Sequence, residues 1–569
     1  MTKRLRHAAI KAAPRGRLCG KSAREAAHAF EKAERNRNIM EQILYYGGPI
    51  LTMEKPLYAE ALLQQGGVIR AVGPLEALAA MAPGAKRVHL AGRALLPAFI
   101  DAHSHFSGYA NALLQVRLEG AQSYDDIREA IRRFIRENNI PAGQWVMARG
   151  YDHNALREKR PPHKRLLDEA APQNPLVLQH ASGHTGVFNT LALRELGVQP
   201  ATPAPAGGAI GVENGELTGY MEENAFIEYL QRAPMPSPET LMHAFERAQQ
   251  AYASYGITTV QEGMMTDVMA PLYRALCGAQ ALYLDVVGYA DLRGCEQLLH
   301  EFAAHTDTYR AHFKLGGYKT FLDGSPQART AWMRTPYANA ADGYTGYGTL
   351  SDEELLARCR RALREGRQLL AHCNGDAAAE QYIRVFNKAL GELDDAPDIR
   401  PVMIHAQLVG QDQLPRMKEI GMIPSFFVAH VYHWGDVHME NFGPQRAANI
   451  SPAAAAGALG IPYTFHQDAP VIEPDMLETI WCAVNRITKQ GVPLGPQQRV
   501  SALDALRAVT LHAAHQYFEE HQKGSLAAGK RADFVILSAD PTAVPPMQIR
   551  NIEVLATFKD GRCIFQKKG

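Results

Sequence analysis

No apolar run of about 18 residues occurs anywhere in the sequence, and nothing near its start resembles a secretory hydrophobic segment. A helical membrane span and an export signal are therefore not expected. Cysteine is sparse. The seven cysteines, at 19, 277, 295, 359, 373, 482 and 563, are odd in number and include no CxxC pair. Neither a disulfide framework nor a thiolate zinc site follows, and a reducing cytoplasm fits best. Strong charge of either sign is missing too. The net charge is +1, but residues 1–40 hold eleven Lys/Arg against three Glu, leaving 49 basic and 56 acidic residues in the rest. That mild acidity gives no basic face for a nucleic acid. GxSxG is absent, so a serine-hydrolase elbow has no candidate. GSLAAGKR, residues 524–531, approaches a phosphate-binding loop, but Arg531 stands where a magnesium-binding Ser or Thr is required. It reads as a glycine turn entering a terminal strand.

What is present divides into a leader, two β-rich ends and a mixed middle. Residues 1–40 are rich in Arg and Ala and poor in acids, which suits either a transit peptide or a disordered leader before Met40; the leader is the expectation taken here. From residue 41 to 97, short apolar stretches broken by glycines (ILYYGGPILTM, GGVIRAVG, RVHLAGRALLP) read as antiparallel strands. Residues 516–569 repeat that style, with Asp560-Gly561 as a hairpin turn. Both ends can therefore contribute to one sheet module.

Residues 98–515 alternate strand-like runs with helical ones. ITTVQEG, ALYLDVVGYAD, FKLGGYKTFLDGS, QLLAHCNGD, IRPVMIHAQLV, MIPSFFVAH and IPYTFHQDAPV are apolar runs that end in polar residues. Between them lie patterns such as SDEELLARCRRALREG, where Ser351 and Glu354 form a capping box. Strand, helix, strand, with chemistry at the C-terminal end of each strand, predicts an α/β fold of the (β/α)8 TIM-like barrel type. Residues around 110–250 fit no single βα unit and are expected to contain an insertion.

Five strand ends carry potential ligands. In DAHSHF, read as a strand, period-two alternation puts Asp101, His103 and His105 on one face, where two imidazoles can share a metal ion. Lys319 lies inside an apolar strand, and His372, His405 and Asp468 close three others. Taken singly, each has an ordinary reading. A lone histidine can be a hydrogen-bonded core residue, a lone aspartate can cap a turn, and a strand lysine can snorkel to solvent. Five strand ends aimed at one face of a barrel point together to a metal centre. The donors are nitrogen and oxygen without thiolate, which suits Zn2+, with manganese, iron or nickel as alternatives. A buried ammonium among metal ions has to be neutralised or converted to an anion, as carbamylation would do.

LLPAFIDAHSHF resembles the metal-binding opening of the amidohydrolase superfamily of metal-dependent hydrolases. KTFLDGS, the His372 and His405 segments and HQDAP are similar to the subgroup containing N-substituted formamide deformylases, and KGSLAAGKRADFVIL to the superfamily's return into its β-sandwich. The resemblance covers roughly residues 42–569. It implies a barrel with a composite β-sandwich built from both ends of the chain. It also implies that His103 and His105 bind one ion and His372 and His405 a second. Lys319 would bridge the two as a CO2-derived carbamate, and Asp468 would bind metal and relay protons. One ion or two stays open.

The expected reaction is hydrolysis of a non-peptide C–N bond, amide or formamide-like, by a metal-activated hydroxide with Asp468 as proton relay. An esterase or lactonase on the same site, or an inactive barrel scaffold, are the competing readings. His184, in HASGHTGVFN, matches a recurring histidine of the subgroup and is read as a catalytic contact to substrate or oxyanion, with structural hydrogen bonding as its alternative. Tyr109, Tyr151, Trp332 and Arg329 are candidate pocket residues. His430, His433 and His438 are read as loop residues near the mouth, and His466 as a support for the ligands. The expected partner is a small amide-type molecule, with no nucleic acid and no membrane, and any association is expected to be a homodimer.

Overall fold

The computed structural model describes residues 41–234 and 236–568, so the leader expected at 1–40 lies outside the described residues. The chain opens with β1 (Gln42–Leu51), β2 (Tyr58–Gln65), β3 (Val68–Gly73), β4 (Lys86–His89) and β5 (Ala94–Pro97). β6 (Phe99–Ile100) follows at once. Then come β7 (Gln115–Arg117), β8 (Val146–Tyr151), β9 (Leu176–His180), β10 (Thr185–Phe188), β11 (Gly208–Glu213) and β12 (Glu216–Glu222). The middle holds β13 (Ile257–Met265), β14 (Asp285–Asp291), β15 (Phe313–Phe321), β16 (Gln368–Cys373) and β17 (Val402–His405). β18 (Ile423–Phe426) and β19 (Thr464–Phe465) complete that series, and β20 (Phe534–Leu537), β21 (Val554–Lys559) and β22 (Arg562–Gln566) end the chain.

Two compact units result. One is drawn from the described residues up to Ala98, with Phe518–Ala543 and Ile552 onward; the other comprises Phe99–Tyr517 and Val544–Asn551. In the first unit, strands from both ends share one sheet in the order β22-β21-β20-β5-β1-β2-β3, with β4 beside β1. Successive residues of its strands serve opposite faces. Tyr45 and Leu62 join Ile50, Leu95 and Phe534 on one face, while Leu44 and Leu63 pack with Leu78 and Ala82 on the other. Leu78 belongs to the helix Leu75–Met81, which covers that second face. The β21–β22 hairpin turns at Asp560 and Gly561, both with positive φ (48° and 70°), as a tight two-residue turn of the expected kind requires.

The second unit is built on eight parallel strands in the order β6-β13-β14-β15-β16-β17-β18-β19. Helices occupy the returns, among them Asp352–Arg364 before β16 and Asp376–Leu390 after it. β14, β17 and β18 are buried at every residue, which is why they read as continuous apolar runs rather than alternating ones. The segments after β6 and β19 also meet. His105 N–H donates to Ala469 O (2.8 Å), and the Gln516 amide joins Ala102 O (2.8 Å) to the Thr464 hydroxyl (2.8 Å).

Between β6 and β13 the chain makes a further sheet, β11-β12-β10-β9-β8-β7. β7, β8 and β9 run parallel, and the other pairs are antiparallel. It has its own apolar core around Ile127, Ile131, Val146, Leu167 and Leu178. Tyr109 and Arg117 reach from this part of the chain to Glu473, just past β19 (2.7 and 2.9 Å).

Candidate metal centre

The strand that opens the site is shorter than its sequence suggests. β6 stops at Ile100, and residues 101–105 turn rather than continue the pleat. The cause is Asp101, whose buried carboxylate accepts the N–H of His103 (3.3 Å) and closes the chain on itself. Asp101 therefore shapes the backbone, and Asp101, His103 and His105 do not share the strand face that period-two alternation predicts. Burial pushes its carboxyl up to about 7.

The imidazole of His103 is set instead by Gln261 on β13. Gln261 Nε2 donates to Ala102 O (2.8 Å) and to the Tyr517 hydroxyl (2.9 Å), so its carbonyl end faces His103 Nδ1 at 2.5 Å. That places the ring proton on Nδ1 and leaves Nε2 bare. Nε2 stands 3.5 Å from Asp468 Oδ1 and 3.4 Å from Lys319 Nζ. His105 Nε2 lies 3.3 Å from the same aspartate oxygen. Gly263 closes the back of this pocket: a Cβ there would sit 2.6 Å from His103 Cε1.

On the far side, His372 and His405 come from neighbouring strand ends, with His405 Nε2 3.0 Å from His372 Nδ1. The other ring nitrogens are tied back. His372 Nε2 faces Gly324 O (3.3 Å), while His405 Nδ1 faces His466 Nε2 (3.2 Å), whose Nδ1 in turn meets Ser425 Oγ (2.9 Å). The remaining nitrogens, His372 Nδ1 and His405 Nε2, thus face each other at one point. Burial holds His372 down to about 4 and His405 well below the ordinary histidine value, so both rings stay neutral, the form that ligates. His405 Nε2 is 4.0 Å from Asp468 Oδ2, which links the two halves of the cluster.

Lys319 is fully buried near the end of β15, and burial lowers its ammonium to about 7. Asp468 Oδ1 is buried with no hydrogen-bond partner, although two imidazole nitrogens face it. Four imidazoles, a carboxylate and a lysine with no thiolate among them form a donor set suited to borderline divalent ions, and the orphaned oxygen fits such an ion. His405 (φ 72°) and Asp468 (φ 55°) both hold left-handed backbone, a strain of about 1–3 kcal/mol per residue that concentrates at functional sites.

Sequence reasoning missed three supports. Gln261 lies in ITTVQEG, where an amide reads as an ordinary strand residue. Asp323 accepts N–H groups from Trp332, Asn374 and Gly375 (3.0, 2.9 and 2.7 Å) and so ties the ends of β15 and β16 together. Tyr517 holds both Gln261 and the carbonyl of Asp101 (2.7 Å).

Other expected residues stand elsewhere. His184 is 60 % exposed at the start of β10, its Nδ1 2.9 Å from Glu223. Tyr109 is buried with its hydroxyl on Glu473, and Tyr151 is sealed in the core of the six-stranded sheet rather than lining a pocket. His430, His433 and His438 belong to the helix His430–Phe442, not to a loop. His430 and His438 are buried and stacked with ring nitrogens 3.0 Å apart, and His433 pairs with Glu478 (2.9 Å).

The histidine–aspartate cluster lies at the C-terminal ends of parallel strands, the end where the active sites of α/β barrel enzymes sit. Residues 87–565 match the model of the Amidohydrolase family, and the chain belongs to that family. It is a hydrolase of carbon–nitrogen bonds other than peptide bonds. Among individual relatives, the N-substituted formamide deformylase of Arthrobacter pascens is 29% identical over 535 residues, covering 90% of this chain and 96% of that one. Metal-dependent hydrolases from Pyrococcus furiosus and Pyrococcus horikoshii OT3 superpose with a TM-score of 0.71 each at 23% identity. They cover 88% and 89% of this chain and 100% and 99% of their own, and bear on the fold alone.

Proposed function

We propose that the protein is a cytoplasmic, zinc-dependent amidohydrolase acting on a small, neutral or weakly charged amide, with N-formyl amides as the first class to test. The formamide preference is taken from the name of the Arthrobacter relative. In this reading the eight parallel strands form a (β/α)8 barrel spanning 98–515, with the insertion near 110–250, and segments 41–97 and 516–569 form a β-sandwich. His103 and His105 hold one ion and His372 and His405 the other. Lys319 is the residue that would carry a carbamate: its neutral amine would add CO2 with loss of one proton, and the resulting anion would offer oxygen donors to the ions. The burial that brings its pKa to about 7 supports this, because only the uncharged amine can add CO2.

The chemistry a divalent ion held there would supply is a bound water with its pKa lowered from ~15.7 to about 7 and a polarised carbonyl oxygen. Asp468 takes a proton from the attacking water at a carboxylate oxygen and returns it to the leaving nitrogen, which would otherwise depart as a poor amide anion. Gln261 and His466 keep the imidazoles of His103 and His405 in the tautomers this requires. His184, exposed and held by Glu223, is assigned a contact with the substrate.

The observation that carries the reading is Asp468 Oδ1, buried without a partner between the Nε2 atoms of His103 and His105. Metal analysis of the wild type, Asp468→Asn and Lys319→Ala tests it, together with a screen of N-formyl, N-acyl and cyclic amides beside esters and lactones. Bound zinc in the wild type, amide hydrolysis lost in Asp468→Asn and weaker metal retention in Lys319→Ala are expected. A metal-free wild type with unchanged hydrolysis in both variants would overturn the assignment.

A further inference from the structure

We propose that Asp152, His153 and His180 form a second site for a divalent transition-metal ion, sharing no ligand with the first. The residues come from GYDHN and LQHASGH, neither of which the proposed hydrolysis uses apart from His184. β8 and β9 are parallel neighbours with Tyr151 in register with His180, so the two residues that follow β8 meet the end of β9. The strand interiors at Val146, Ala148, Leu176, Val177 and Leu178 are buried. The polar residues of these strands, Arg149, Gln179 and His180, lie in their C-terminal halves.

At the strand tips one donor atom from each of Asp152, His153 and His180 lies within 4.8 Å of the others. The two rings pack 4.8 Å apart between centroids. His153 Nδ1 and His180 Nε2 are both buried and both lack a hydrogen-bond partner. A simple His180–Asp152 pair, 3.4 Å apart, leaves His153 Nδ1 unexplained. A shared cation accounts for both nitrogens at once, because a buried donor or acceptor left unmade carries its desolvation penalty uncompensated.

The surroundings place these groups to ligate. Asp152 Oδ1 accepts the N–H of Asn154 (2.8 Å), which fixes the carboxylate beside the two rings. Ser182 offers His180 Nδ1 its Oγ at 2.9 Å and its N–H at 3.0 Å. The Ser182 N–H makes Nδ1 an acceptor in the ion-free ring; with the ring proton moved to Nδ1 and Ser182 Oγ accepting it, Nε2 becomes the bare nitrogen a cation requires. The Asp152 side chain is 45% exposed and that of His180 12%, so an ion can enter along the carboxylate. Two imidazoles and one carboxylate select zinc, cobalt, nickel or iron over calcium and magnesium, and three protein ligands leave a position open to water or a ligand group.

The test uses the full-length protein dialysed against buffered Zn2+. Crystals measured at the zinc absorption edge are expected to show an anomalous peak between His153 and His180. A His153→Ala/His180→Ala variant is expected to retain about one equivalent of zinc fewer than wild type, in line with loss of one three-ligand site. No peak at that position under saturating zinc overturns the proposal, as does an unchanged metal content in the double variant. A His103→Ala/His105→Ala variant keeps the two metal readings apart: the peak at His153 and His180 is expected to persist when the first site is damaged. Should the first double variant not fold, the wild-type anomalous map decides alone.

Discussion

His103 depends on a residue 158 positions away. Gln261 fixes its ring proton, and the Gln261 amide is itself fixed by Ala102 and Tyr517. Gln261→Leu keeps the bulk but removes the acceptor, so the ring loses its preferred tautomer. The expected outcome is metal affinity weaker by about 10–100-fold, the usual effect of losing such an outer contact, read by competition against a chromogenic chelator. Affinity equal to wild type would mean that Gln261 does not orient the ring. The contrast between His103 and Gln261 shows what a sequence exposes at this scale. Histidine at a strand end is a chemical statement, because few side chains can ligate. An amide inside ITTVQEG is not, since its role comes from three partners brought by distant segments. Asp323 is hidden for the same reason: its acceptors are filled by Trp332, Asn374 and Gly375, which only the folded chain presents.

The helix Asp352–Arg364 begins with the capping box read from its sequence. Ser351 Oγ accepts the Glu354 N–H (3.3 Å), and Glu354 Oε2 accepts the Ser351 N–H (2.8 Å). Ser351→Ala is expected to lower stability by about 1 kcal/mol, measured by urea denaturation, with no change in metal content. An unchanged denaturation midpoint would show that solvent replaces the cap at no cost. Elements specified by local chemistry, such as this cap and the Asp560-Gly561 hairpin, are legible in the sequence. Elements set by tertiary contacts are less so. DAHSHF looks like a continuing strand, but the Asp101 carboxylate turns the chain after Ile100. HVYHWGDVH looks like a loop because of its polar histidines, yet His430 and His438 are buried together and the segment is helical. Burial of paired imidazoles overrides their surface preference there.

For the molecule as a whole, the order of the eight parallel strands was readable because each apolar run is followed by a helical return, which allows few arrangements. The six-stranded sheet was not. Its mixed order, β11-β12-β10-β9-β8-β7, depends on which short strands pair, and several pairings suit the same apolar pattern. The centre draws its groups from residue 103 to residue 468, so a bound ion would cross-link most of the second unit. Prolonged dialysis against a chelator is expected to abolish hydrolysis and lower the melting temperature while far-ultraviolet circular dichroism is retained. Added Zn2+ is expected to restore both. Full activity in protein shown by elemental analysis to be metal-free would contradict the proposed function.

The Gln516 amide that joins Ala102 to Thr464 has a temporal consequence. During synthesis His103 emerges early, whereas Asp468 and the glutamine that ties their segments together are translated some hundreds of residues later. A nascent polypeptide cannot complete the cluster until nearly all of the second unit has left the ribosome, so under the proposed function ion capture would be a closing act of maturation rather than a nucleus on which the rest assembles.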